Sequence, residues 1–141
     1  MLYAKLVKVY EELEKTTKRL DKTEIIANFL KNVGKDEIKD IIHLLRGRIF
    51  PDYDERKIGM SSRLILKVIS NSAGINQERV ERLWKEIGDL GKVAEELMKK
   101  RQQMTLSKEE LTIKKVVNNI SKLSTFQGEG TVDKKIKLIS E

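Results

Sequence analysis

The 141-residue sequence has no cysteine, one histidine and one proline, and aromatic residues make up only 5% of it. Without thiols there is no disulfide scaffold and no Cys-ligated zinc. The single imidazole, His43, removes most His-based catalysis and metal ligation. It lies beside an apolar stripe with no second His or obvious carboxylate partner in sequence, so it reads as a satisfied structural histidine. Trp84 and the scattered Tyr and Phe fit core positions. They do not form the spaced stacking platform that single-stranded nucleic acid requires. No apolar run approaches the roughly 20 residues of a membrane span, and the N-terminal segment lacks a signal-peptide core. A cytoplasmic protein with no membrane partner is the expectation.

Charge is abundant in both signs. Against 22 Asp+Glu stand 29 Lys+Arg, a formal net charge of +7, which favours a polyanionic partner without requiring one. The length suits a single domain with a real core. Apolar residues recur at three and four almost throughout, which predicts an all-α fold: a compact bundle of about seven to eight short helices. Leu2, Leu6, Val9 and Leu13 mark the first, with Tyr3 and Tyr10 beside them. Ile26, Phe29, Leu30 and Val33 mark a second, closed by Gly34 in a left-handed conformation, and Asp36 caps a third carrying Ile38, Ile41, Ile42 and Leu45.

The only proline falls in "RGRIFPDYDERKIGMSS", a connection that no helical stripe crosses, so the bundle should have two sub-halves joined near Pro51. Beyond it, Ser61 or Ser62 starts a helix ending near Gly74, and Asn76 opens another through Val80, Leu83, Trp84 and Ile87. "GDLGKVAEELMKKRQQ" and "EELTIKKVVNNISKL" supply two more. The last segment sets Val132, Ile136 and Ile139 on one face, and the stripe runs to Glu141, as in a truncated domain.

Two corners attract attention. In "GEGTVDKK", Gly128 and Gly130 precede a helix expected to start at Thr131, with Lys134 and Lys135 in its first turn or so. Free amides at the positive end of a helix dipole are natural phosphate ligands, and an external anion would offset the cost of lysines placed there. A plain Gly-rich turn with solvated lysines has the same spacing. "GDLGKVAEE" repeats the theme with Gly88, Gly91 and Lys92, where Asp89 as a helix cap explains the pattern equally. Asp52, Asp54 and Glu55 form the densest acidic group, but Arg56 and Lys57 beside them point to loop solvation and capping instead of paired acid–base work.

The ordered motifs "IFPDYDERKIGM", "LILKVISNSAGI", "GDLGKVAEE", "LTIKKV" and "GEGTVDKKIKLI" resemble the N-terminal DNA-binding domain of archaeal and eukaryotic-type ATP-dependent DNA ligases, over Leu2 to the end of the chain. Tyr53 replaces a Trp usual in the first motif. The resemblance implies a helical domain, residues 1–141, that lies along the minor-groove side of duplex or nicked DNA in an enzyme sealing nicks in replication, repair and recombination. It implies phosphate contacts at Gly128, Gly130, Thr131, Lys134 and Lys135, and further DNA contacts at Gly88, Gly91, Lys92 and Lys114. The family's nucleotidyl-transfer motif, K-x-D-G, does not occur in the sequence. ATP and Mg2+ are therefore implied for a full-length ligase whose nucleotidyltransferase and OB domains lie elsewhere, with no cofactor in this part.

Some archaeal relatives carry a sliding-clamp peptide before "LTIKKV". Here Gln103 and Leu106 remain but the aromatic pair does not, which implies weak or absent clamp binding. An open apolar face on the last helix would favour self-association. A helical protein-interaction module with a basic surface for an acidic partner is the competing expectation.

Overall fold

The computed structural model describes residues 1–100 and 109–140. Among these lie eight α-helices and one isolated antiparallel bridge, Leu2 with Thr112. The chain forms two compact units, each built from two stretches of sequence.

The first unit comprises Met1–Lys57 and Glu109–Lys122. It holds α1 (Tyr3–Glu14), α2 (Arg19–Leu30), α3 (Lys35–Leu45) and nearly all of α7 (Ile113–Leu123). Leu6, Ile41 and Ile113 are fully buried at its centre, with Tyr3, Tyr10, Phe29, Leu30 and Val117 packed around them. Each such aliphatic side chain contributes about 1.5–3 kcal/mol on burial. The Tyr3 amide donates to Leu111 O at 2.8 Å and the Ile113 amide to Met1 O at 3.0 Å, tying the start of α1 to the start of α7. Burial, and then the neighbouring Tyr3, push the Tyr10 phenol up to about 12.

Gly34 does not take the left-handed role expected of it. Its φ of −67° is extended backbone, and it stands as the N-cap of α3, so Asp36 lies in the first turn and caps nothing. The end of α2 is closed instead by tight bonds from Asn32 and Val33 amides to Phe29 O and Leu30 O. No left-handed residue is needed there.

The proline-containing connection is organised by arginines. Asp52 accepts from Arg46 at 2.9 Å and also pairs with Arg48. Asp54 accepts from the guanidinium and the amide of Arg56, whose charge sits 4.1 Å over the Phe50 ring. These bonds hold the Asp54 carboxyl down to about 2 and lower Asp52 as well. Both carboxyls shift downward, as in ion pairs; a general acid would be shifted upward. Tyr53, between them, departs from the core placement expected of the aromatics: it is 87% exposed, because the loop offers no buried face to it.

The second unit comprises Ile58–Lys108 and Leu123–Glu141. Its described helices are α4 (Ser62–Ala73), α5 (Gln77–Ile87), α6 (Leu90–Lys100) and α8 (Thr131–Ser140). Leu66, Ile69, Val80, Val93 and Leu97 form its core, lined by Trp84, Leu83 and Leu90. Helix α4 packs against α5, α6 and α8, which is why Leu66 and Val68 are both buried on it. Ser61 Oγ caps α4 by accepting from the Leu64 amide at 3.3 Å, and Asn76 Oδ1 caps α5 through the Arg79 amide at 3.1 Å. On α8, Ile136 is buried, whereas Val132 and Ile139 are 45% and 38% exposed.

Candidate functional site

Two glycine corners start helices in the second unit, and they differ in how the helix end is satisfied. Before α8, Gly128 and Gly130 have φ of 84° and 73°, values that side-chain-bearing residues rarely adopt. This double turn orients Thr131 so that its hydroxyl donates to Gly128 O at 2.5 Å. Among the described residues no amide of the helix donates to that hydroxyl oxygen, so it does not act as a cap. The Lys134 amide is the first to be bonded, to Gly130 O at 3.0 Å. Ahead of it, the amides of Thr131, Val132 and Asp133 meet no acceptor at hydrogen-bond geometry among the described residues. The corner from Gly128 to Gly130 is exposed.

Lys134 is exposed and makes no ion pair or side-chain hydrogen bond among the described residues. Glu129 and Asp133 are exposed at the same end, and Asp133 complements the helix dipole from the first turn. Lys135 is placed differently. It is only 9% exposed, and its Nζ donates to Ile58 O and Gly59 O, both at 3.1 Å. Of the two lysines expected on phosphate, the structure leaves Lys134 open and commits Lys135 to the protein's own backbone.

Before α6, the glycines have other functions. Gly88 has φ of 81° and ends α5, donating to Trp84 O at 2.8 Å. Asp89 Oδ1 accepts from the Lys92 amide at 2.8 Å, so the carboxylate occupies the place an external anion would take. Gly91 lies inside α6, where an added Cβ would stand 3.1 Å from Asp89 Oδ1. Lys92 is exposed.

The remaining expected positions are dispersed. Lys114 is exposed in the first turn of α7, in the first unit, next to Lys115, which pairs with Glu109. Gln103 and Leu106 lie outside the described residues. His43 is not the satisfied histidine expected: its Nδ1 is buried without a hydrogen-bond partner among the described residues.

Sequence reasoning missed Gly59, whose carbonyl helps hold Lys135. The sequence does carry a signal for the burial of Lys135, though not for its partner, since Lys135 shares the helical face of Val132, Ile136 and Ile139 while Lys134 does not. Among the described residues no group of three His, Asp or Glu could hold a metal ion, and K-x-D-G is missing from the sequence. No described helix is long and apolar enough to cross a membrane.

A family model described as DNA ligase N terminus matches residues 2–141. A DNA ligase of Methanosphaera stadtmanae is 41% identical over 99% of this chain and 26% of its own length. A DNA ligase of Thermococcus fumicolans is 37% identical over 99% of this chain and 25% of its own length. A probable DNA ligase of Dictyoglomus turgidum is 37% identical, again over 99% of this chain, and 23% of that protein is covered. The chain thus spans about a quarter of the length of the curated relatives it matches.

Proposed function

The chain belongs to the DNA ligase N-terminus family, and from that premise we propose that it binds duplex DNA through backbone phosphates, without sequence preference, for a ligase whose nucleotidyl transfer is performed by other domains. An enzyme that seals any nick draws its affinity from phosphates, because they carry no direct base information. The observation that carries this reading is the uncapped start of α8: three free amides and the unpaired Lys134 share one exposed corner. A phosphate oxygen there would accept from the amides, and the Lys134 ammonium would offset its charge. Gly128 and Gly130 keep the approach free of side chains, and Thr131 fixes the turn. Lys135 then supports the corner from inside. Lys114, Gly88, Gly91 and Lys92 are secondary, since Asp89 already fills the anion position before α6.

ATP and Mg2+ belong, in this reading, to the nucleotidyltransferase part of the full-length cytoplasmic ligase. Clamp binding through Gln103 and Leu106 is weak or absent for want of an aromatic pair, and a nanomolar complex of this chain with its cognate clamp would overturn that. The exposed Val132 and Ile139 favour self-association of the isolated chain at high concentration.

The test is titration of a short mixed-sequence duplex across ionic strength. Affinity should fall with salt at a log–log slope of about −0.9 per phosphate contacted. Affinity that stays flat with salt rejects the reading. Binding of an acidic protein that the duplex cannot compete away would favour the interaction-module alternative.

A further inference from the structure

We propose that Lys135 is a positioning residue: its buried ammonium clamps the Ile58–Gly59 backbone to α8 and so sets the direction of the amides at the α8 corner. This deepens the phosphate-binding reading and rests on it. The clamp lies wholly within the second unit, at its first two residues, just after the chain leaves the first unit at Lys57. Both carbonyls are 3.1 Å from Nζ. No carboxylate within ion-pair distance of Lys135 occurs among the described residues, so carbonyl dipoles are what solvate the charge.

Gly59 is what makes the approach possible. Its φ of 64° turns the carbonyls of residues 58 and 59 toward one point, and a Cβ on it would stand 2.6 Å from Lys135 Nζ. A methyl group at position 59 and the ammonium of Lys135 cannot both keep their places. The adjacent residues of α8 divide the labour accordingly. Lys134 faces solvent, Ile136 is buried, and Lys135, one turn in from Thr131, fastens the helix where its free amides begin. Loss of the clamp leaves two carbonyls without their donor and lets the first turn of α8 shift relative to the start of the unit.

A positioning lysine and a phosphate-contacting lysine give different signatures in one experiment. Wild type, Lys135→Met, Gly59→Ala, the double variant and Lys134→Met are titrated with a fluorescently tagged mixed-sequence duplex at several salt concentrations. Amide hydrogen exchange over residues 134–138, the first hydrogen-bonded amides of α8, is measured on each free protein. Lys135→Met and Gly59→Ala should each weaken binding about tenfold while leaving the salt slope unchanged, because no phosphate contact is removed. The double variant should be no weaker than either single one, since both break the same contact. Exchange at the α8 start should rise in all three and not in Lys134→Met.

A slope lowered by about 0.9 in Lys135→Met would mean that this lysine touches phosphate itself and would overturn the proposal. Unchanged affinity and exchange in both single variants would overturn it too. If wild type binds no duplex, the phosphate-binding reading fails while the exchange data still decide the clamp. Should Lys135→Met not fold, Gly59→Ala decides by its affinity, salt slope and exchange, since it breaks the same contact and leaves Lys135 in place.

Discussion

The corners before α6 and α8 look alike in sequence, with two glycines, an acidic residue and a lysine around the start of a helix. They differ in one choice of atom. Before α6, Asp89 turns a carboxylate oxygen onto the Lys92 amide and closes the helix end with a charge carried by the protein. Before α8, Thr131 gives its hydroxyl proton to Gly128 O, and the first amides are left open beside Lys134. A helix start preceded by glycines is therefore not yet an anion site. What distinguishes the two is whether the chain supplies its own anion, and that can be checked by changing residues at both corners in parallel.

The largest difference should come from charge reversal. Lys134→Glu is expected to weaken duplex binding by about tenfold or more at low salt and to flatten the salt slope by about one contact. Lys92→Glu should change affinity by no more than about twofold under the same conditions, as expected for a rim charge. Equal losses at the two sites would erase the distinction drawn between the corners.

Next in size is backbone freedom. Gly130→Ala and Gly88→Ala both place a side chain at a left-handed position with open space around it, so each should lose about 1–2 kcal/mol of stability in chemical denaturation. Only Gly130→Ala should also weaken DNA binding. Removing the α6 cap comes third. Asp89→Ala should cost about 1 kcal/mol, and its duplex affinity, measured in the same titration, should stay within about twofold of wild type. A marked gain would show that the α6 corner binds phosphate once its own carboxylate is gone.

The smallest effect serves to keep acid conditions out of the comparison. The Asp54 carboxyl is lowered from 3.8 to about 2 by its bonds to Arg56. Its stabilisation is present above pH 3.8 and is lost as pH falls through about 2. The melting temperature of wild type should exceed that of Asp54→Asn slightly at pH 5 and converge with it near pH 2. Because this pair is solvent-exposed, the difference at pH 5 should be small.

Much of the second unit was readable from sequence because its signals are local. Ser61, one of the two serines expected to start α4, caps it, Asn76 caps the helix it was expected to open, and Gly74 ends α4 in a left-handed conformation, φ 67°. Each of these rests on a bond within a few residues. Gly34 was misread because its φ depends on how α2 closes, and two short-range amide bonds completed that closure before the glycine was reached. The first half of α2 gave no stripe at all, since Leu20 is 81% exposed and nothing on that helix is fully buried.

At the candidate site the local part, glycines followed by a helix starting at Thr131, was legible. The different placement of the two lysines was obscured by their adjacency. They read as a pair, although one lies on the apolar face and the other does not. The carbonyls that hold Lys135 come from Ile58 and Gly59, too far away in sequence for any spacing rule to connect them.

The interleaving of the two units bears on how the chain is made. Leu6 and Ile41 leave the ribosome long before Ile113, the third member of their buried cluster, and the second unit in turn waits for α8. The first unit is complete in sequence once Lys122 has emerged, and the second only after α8 follows it. A cut at Pro51 would part α1, α2 and α3 from α7 but leave both stretches of the second unit in one fragment, so a protease site introduced there should spare the second unit and let the first unit form only when the fragments are mixed.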